Sequence, residues 1–280
     1  MKCQNVIFFG EDVFSLTVLK SIVDSQLKLR ILGVVIIEPI SVSGHKLVGY
    51  CASNKIPVFK IKNLDDSDFL NFMCAHDYDF LVTAHFQRII PESLFCRAAI
   101  AALNLHPSLL PKYRGMSPQH WPIYHGDDEM GVTVHLMKKV VDTGNIIARE
   151  NITLGPDIYI HQLQKKMLSV YRHIMVRALK LCLEGYEGEV QSDSGASYYG
   201  KIRASDMDID INESFEDAYK KIRSFSIPYS GATFKDKTIF RAEPVSNNEW
   251  EALVGKNGIG YFEHHSGNYL LFSDGGLKIL

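Results

Sequence analysis

The sequence predicts an α/β protein: an open, mostly parallel sheet with helices on both faces, followed by a small β-rich C-terminal domain. Three observations lead there. Short, near-continuous apolar runs alternate with segments of helical spacing as far as residue 185, the pattern of strands buried on both faces. One of those runs ends in a polar stretch, 104–115 (NLHPSLLPKYRG), where the side chains change from apolar to chemically capable. Composition then shifts at 186–200 to Gly, Ser and Glu, which reads as a linker. The expected division is 1–185 for the first domain, 186–200 for the linker and 201–280 for the second domain.

Taken in order, 5–9 (NVIFF) is the first strand and 14–23 carries apolar residues at helical spacing. Residues 30–37 (RILGVVII) form a second buried strand, 47–53 a helix and 57–59 a third strand. An Asp cap introduces a helix over 65–75, and 78–83 (YDFLVT) is a fourth strand. Residues 98–103 supply the fifth, with Asn104 and His106 two positions apart at its end. Alternation sends both side chains to one side of the sheet, and Pro107 removes the next ladder donor. A helix is expected over 119–124, strands over 131–137 and 146–152 pairing at an edge of the sheet, and one long helix over 159–183. Beyond the linker come a helix over 214–225 and strand-like runs near 233 and over 239–242, 260–262, 269–272 and 277–280.

Composition narrows the function. Thirty basic against 32 acidic residues, a net charge of −2, leave no electrostatic footprint for nucleic acid or a membrane surface. Five scattered cysteines without CxxC spacing read as reduced thiols, and the N-terminus opens as a strand rather than a signal peptide, so the expected location is cytoplasmic. GxGxxG after the first strand, GxxxxGK[ST] and GxSxG are all missing, which removes standard dinucleotide, P-loop and serine-hydrolase sites. His120 and His125 are not spaced to share a helical face and no ligand set surrounds them, so no metal is expected and both read as surface or supporting histidines.

What remains is Asn104, His106 and an acidic partner, for which Asp142, in the loop 140–145 (VVDTGN), is best placed. A carboxylate beside an imidazole orients it and raises its pKa, and an amide donor can meet a developing oxyanion. The set suits acyl-type transfer through a tetrahedral intermediate. On spacing alone the same residues also read as a turn cap, a satisfied interior histidine and a turn-initiating aspartate.

NLHPSLLPKYRG, GVTVHLM and VVDTGNI, in that order and at these distances, resemble the signature of the 10-formyltetrahydrofolate-dependent formyltransferases. The resemblance covers about the first 185 residues and implies a Rossmann-like sheet, N10-formyltetrahydrofolate as co-substrate, and catalytic roles for Asn104, His106 and Asp142. It implies that Asn104 and a protonated His106 stabilise the oxyanion, with His106 or a water held by Asp142 accepting the amine proton. It places the pterin against backbone groups of Phe86, Gln87, Arg88 and Ile89 and of Lys139, Val140 and Val141, and the substrate against Ser108, Arg114 and Gly115.

The rest of the sequence bears on the acceptor amine. The segment 38–46, where methionyl-tRNA formyltransferases carry a basic insertion, holds a single lysine. Residues 222–232 (IRSFSIPYSGA) are similar to the Arg…Pro-Tyr-Pro-Gly-Ala stretch of nucleotide-sugar N-formyltransferases, with Ser230 in place of the second Pro. The expected partner is therefore a nucleotide-linked amino sugar, plausibly dTDP-linked, with Arg223 on its diphosphate and Tyr229 on its base; methionyl-tRNA is the alternative. Arg223 on an exposed helix face and Tyr229 in an interdomain core stay open as structural readings. Tyr198, Lys201 and Arg203 raise the same question. The β-rich tail offers a surface for a homodimer.

Overall fold

A computed structural model describes residues 2–280. The chain runs β1 (Gln4–Phe9), α1 (Val13–Val23), β2 (Leu29–Ile37), α2 (Val42–Ser53), β3 (Val58–Ile61), α3 (Ser67–Ala75), β4 (Phe80–Ala84), α4 (Glu92–Phe95) and β5 (Ala101–His106). It continues through β6 (Arg114–Gly115), α5 (Trp121–His125), β7 (Glu129–Leu136), β8 (Ile146–Thr153), α6 (Ile160–Tyr171), α7 (Ile174–Leu183) and β9 (Tyr198–Tyr199). The remainder is α8 (Ala204–Met207), α9 (Phe215–Phe225), β10 (Ala232–Phe234), β11 (Lys237–Ile239), β12 (Ala242–Pro244), α10 (Asn247–Asn257), β13 (Gly260–His264), β14 (Gly267–Leu271) and β15 (Gly276–Ile279).

Two compact units form. The first takes Met1–Gly115, Gly131–Ile152 and Lys166–Tyr198; the second takes Met116–Met130, Thr153–Lys165 and Tyr199–Leu280. Residues 186–198, expected as a linker, are thus part of the first unit.

The first unit is built on a seven-stranded sheet of order β3-β2-β1-β4-β5-β7-β8. Strands β1 to β5 pair in parallel, and β7 runs antiparallel to β5. In β1, Val6, Ile7, Phe8 and Phe9 are all fully buried, which requires cover on both faces. Ile7 and Phe9 share one core with Val35, Ile37 and Leu81 and with Phe69 and Met73 of α3 and Leu94 and Phe95 of α4. Helix α1 packs against α2 and α7. The β1–α1 join is tight: Asp12 caps α1 by accepting from Phe14 N and Ser15 N, and Ser15 Oγ accepts from Asp12 N, a reciprocal capping box. A Cβ on Gly10 would come within 2.4 Å of Ser15 Cβ, so only glycine admits this approach. The order in which strands are added reverses between β1 and β4, and ligands of open α/β sheets bind beyond the carboxyl ends of strands at such a point.

Several expected boundaries move. Helix α2 begins five residues earlier than the apolar spacing suggests, because Ser41 Oγ accepts from Gly44 N and caps it there. The single helix expected over 159–183 is two, α6 and α7, broken at Arg172 and His173. No Pro or Gly marks that break; His173 instead meets Glu150 of β8, Nε2 to Oε2 at 2.7 Å. The strand expected over 239–242 is interrupted at Phe240 and Arg241, giving β11 and β12. Helix α10 was not expected, although Ser246, whose Oγ accepts from Glu249 N, starts the S-x-x-E pattern of a helix N-terminus.

In the second unit, α9 lays Ala218, Tyr219 and Ile222 on a core with Tyr159, Phe234, Leu270, Phe272 and Leu277. Its four-stranded sheet has the order β12-β15-β14-β13, antiparallel throughout. His120, expected as a surface or supporting histidine, is buried at 2% exposure, with Nδ1 donating to Ser224 O at 2.8 Å and the ring stacked on Phe225. Among the described residues no helix is long and apolar enough to cross a membrane.

Burial pushes the His120 pKa down to about 4 from 6.5, against the opposing hydrogen bond to Ser224. Between those values the unfolded chain binds a proton that the folded chain refuses, so stability falls as pH drops through the window. The loss on going from pH 7 to pH 5 is about 2 kcal/mol. His120→Gln keeps a donor for Ser224 and removes the titration. Urea unfolding at the two pH values should show a pH dependence smaller by that amount; an unchanged dependence would exclude His120 as its source.

Candidate functional site

The end of β5 carries Asn104 and His106, and the register of β7 sets His135 directly across from Asn104 and Thr133 across from His106. Residues opposite one another in an antiparallel pair project to the same face, so a third polar side chain, His135, joins the two expected ones. Asp142 completes the cluster from the loop after β7, and its backbone is in the left-handed region at φ 57°. That conformation is uncommon outside glycine but tolerated by Asp, and here it accompanies an inward-turned carboxylate. Gly144 permits the turn: a Cβ there would lie 1.6 Å from Leu136 O.

The contacts are specific. Asp142 Oδ2 accepts from Gly115 N at 2.8 Å and lies 3.5 Å from His106 Nδ1. Asp142 Oδ1 is 3.3 Å from His135 Nε2 and 3.4 Å from Asn104 Nδ2. His106 Nε2 is 2.8 Å from Tyr113 O, and since a carbonyl only accepts, Nε2 carries the hydrogen and Nδ1 is the atom left to face Asp142. By the same reasoning His135 Nδ1 donates to Leu136 O at 2.8 Å, leaving Nε2 beside Asn104 Nδ2 at 3.1 Å. Thr83 Oγ1 donates to Asn104 Oδ1 at 2.5 Å, which turns the amide NH₂ toward the cluster.

His106 and Asp142 are buried, at 4% and 7% exposure. Burial alone would raise the Asp142 carboxyl; the charged forms of His106 and His135 and the Gly115 N–H outweigh it and hold the group well below the usual carboxylate range. Burial lowers the His106 imidazole from its ordinary value, with the Asp142 carboxylate working against that shift. The expected rise in the His106 pKa is therefore reversed, because desolvation of the ring is the larger effect. A neutral His106 beside an ionised Asp142 is a base whose protonated form already has a counter-ion.

Around this cluster are the loops expected to meet a pterin. Phe86 packs edge-on to Phe9 at 5.2 Å, Gln87 N donates to Glu11 Oε1 at 3.1 Å, Arg88 is exposed and Ile89 is 77% exposed. Lys139, Val140 and Val141 are also exposed. The first of these loops leaves β4 through His85, at φ 50°, whose Nδ1 lies 3.4 Å from Asp12 and whose Nε2 is 2.8 Å from the Tyr171 hydroxyl. Ser108 is fully buried and spends its hydroxyl on Lys112 O at 2.7 Å. Arg114 is buried with Gln191 as its partner, and Gly115 contributes the N–H already described.

Arg223 and Tyr229, expected to meet a nucleotide, belong to the second unit and have protein partners there. Arg223 is 6% exposed rather than on an open helix face; it lies over the Tyr219 ring and donates from Nη1 to Ile158 O at 3.3 Å. The Tyr229 hydroxyl accepts from Gln119 and Gln164.

The residues that sequence reasoning missed are His135, Thr83, the Tyr113 carbonyl and Gln191. His135 lies inside the GVTVHLM run and alternates correctly for the site face, a signal that becomes legible only once the register with β5 is known. Among the described residues no group of three or more His, Cys, Asp or Glu side chains could hold a metal ion.

The family model described as formyl transferase matches residues 21–179. The methionyl-tRNA formyltransferase of Staphylococcus aureus (strain MW2) is 30% identical over 255 residues, 87% of this chain and 81% of that protein. Among solved structures, WlaRD, a sugar 3N-formyl transferase determined with dTDP and 5-N-formyl-THF, aligns over 100% of this chain and 97% of its own at TM-score 0.73 and 17% identity. The N-formyltransferase from Helicobacter canadensis, in complex with folinic acid and dTDP-3-aminofucose, aligns over 98% and 97% at TM-score 0.73 and 20% identity. At these identities the two structures establish a shared fold.

Gly144→Ala should force the Asp142 turn off Leu136 and cost about 1–3 kcal/mol in denaturant unfolding. Displacement of the carboxylate should also lower the apparent pKa of the His106 ring, read from its C2–H proton resonance. A variant with wild-type stability and an unshifted His106 would show that the close approach is dispensable.

Proposed function

The chain belongs to the formyl transferase family and transfers a formyl group, and we propose that it carries this group from N10-formyltetrahydrofolate to the amine of a nucleotide-linked amino sugar, with a dTDP-linked deoxy sugar as the first acceptor to test. The observation that carries the acceptor class is the short β2–α2 connection. Only four residues, 38–41, separate Ile37 from Val42, with no cationic side chain among them. RNA binding draws its affinity from cations that displace counter-ions along the phosphates, and a chain of net charge −2 without a basic insertion is poorly equipped for it. The likeness to WlaRD and to the Helicobacter protein supports the same reading, since it extends through the C-terminal unit.

The geometry supports a direct transfer without a covalent enzyme adduct. The amine attacks the formyl carbon and the carbonyl oxygen gains charge. Asn104 is oriented by Thr83 so that Nδ2 faces the site, and its long 3.4 Å contact with Asp142 is the one readily exchanged for an oxyanion. The proton leaving the amine passes to His106 Nδ1, the ring nitrogen not committed to Tyr113, and the Asp142 carboxylate stabilises the imidazolium so formed. That imidazolium then serves the oxyanion electrostatically and returns its proton as the tetrahydrofolate nitrogen departs. The co-substrate fits the exposed apolar side chains of Ile89, Val140 and Val141, with half-buried Phe86, as surfaces for a flat ring.

The sequence relatives named for methionyl-tRNA formylation favour a second reading, with the aminoacyl amine as acceptor. Mass spectrometry after incubating the formyl donor with dTDP- and UDP-amino sugars, and separately with methionyl-tRNA, distinguishes the two. A formylated sugar nucleotide is expected; formyl-methionyl-tRNA alone would replace the proposal with the second reading.

Asn104→Ala and His106→Ala should each lower kcat by about two to three orders of magnitude while the protein stays folded. Near-wild-type turnover in both would remove the cluster from the reaction.

A further inference from the structure

We infer that Gln191, locked by Arg114, is a positioning residue that holds the Asp142 turn in its reactive conformation. The inference rests on the role given to Asp142 above. Gln191 lies in the stretch expected to be a linker, outside every motif that suggested the site.

Both hydrogens of the Gln191 amide are used on one turn: Nε2 donates to Asp142 O at 2.8 Å and to Gly144 O at 2.7 Å. These carbonyls bracket Thr143 and begin at a residue held in the left-handed region at φ 57°, which L side chains adopt only at a cost. Gln191 Oε1 accepts from Arg114 Nε at 3.1 Å and Nη2 at 2.7 Å. A guanidinium has no acceptor, so it dictates which end of the amide faces it and delivers the NH₂ end to the turn.

Arg114 also closes the arrangement through the chain. The next residue, Gly115, donates its N–H to Asp142 Oδ2, so adjacent positions hold both the carboxylate and, through Gln191, the backbone of the same aspartate. The stretch bearing Gln191 is itself anchored on either side. Ile146 and Glu189 exchange two backbone hydrogen bonds, at 2.7 and 2.9 Å. Ser197 accepts from Arg114 N through its carbonyl at 2.9 Å and from Tyr113 N through Oγ at 2.8 Å. Gln191 is therefore the side chain of a strap fixed at both ends, and its polar atoms meet Arg114 and the Asp142 turn.

Gln191→Glu isolates the function: it keeps the acceptor that Arg114 needs and puts a charged oxygen against the Asp142 and Gly144 carbonyls. Gln191→Met removes the polar group at similar length and serves as the second variant. Both are assayed with the formyl donor and whichever acceptor the wild-type enzyme formylates, beside Asp142→Asn. The expected result is a fall in kcat of about a hundredfold with KM for both substrates within about twofold, as for a reacting group displaced by an ångström. The His106 C2–H resonance should titrate at lower pH in both variants, because its carboxylate partner has moved away, while the thermal midpoint stays above the assay temperature. Wild-type kcat and an unshifted His106 beside an inactive Asp142→Asn overturn the role of Gln191 and leave Asp142 in place. An active Asp142→Asn overturns both. A loss carried by KM alone also overturns it, since that would place Gln191 in binding.

Discussion

A buried carboxylate must be compensated or it will not stay ionised, and the first unit is arranged around meeting that condition for Asp142. The donors that meet it come from separated parts of the chain, Asn104 Nδ2 from β5 and the Gly115 N–H, and His106 of β5 and His135 of β7 add counter-charge in their protonated forms. No one of these segments could hold the charge alone. The antiparallel register of β7 against β5 and the left-handed turn at Asp142 are therefore conditions of the site as much as features of the fold. Breaking a buried pair by deleting one partner is far more costly than the pair is worth in stability, so such an arrangement is rigid once formed.

Rigidity at the centre contrasts with the rim. Loops 85–89 and 139–141 present exposed apolar side chains and backbone, with few side-chain hydrogen bonds of their own. A centre that must hold an amide and an imidazole in fixed positions has His106 and Asp142 buried. A surface that must admit a large flat co-substrate is left open. The carboxyl ends of β1, β4 and β5 bring the two together where the strand order reverses, the usual place for a ligand in an open α/β sheet.

Formyl transfer belongs to the family, and the proteins this chain resembles are named for different acceptors, a tRNA in one case and a sugar in another, while agreeing on the chemistry. Arg223, buried over Tyr219, contributes to the second unit's interior.

The chain by itself made legible the alternation of strands and helices and the three side chains, Asn104, His106 and Asp142, that the structure brings together. Each of these is encoded locally, as a period of two or 3.6, a turn residue or a motif of fixed spacing. The break between α6 and α7 was not legible because no proline or glycine marks it and His173 finds its partner in β8. Helix α10 had a legible N-terminal signal in Ser246 and Glu249, obscured by a weakly amphipathic run. His135 and Gln191 belong to another class. Their importance comes from a strand register and from a strap returning nearly fifty residues later to the Asp142 turn. The sign of the His106 shift was likewise decided in three dimensions, since burial of the ring depends on every segment packed around it. Periodicity reports which way a side chain points along its own strand or helix; only the closed tertiary structure decides which distant groups it meets and how much water remains around them.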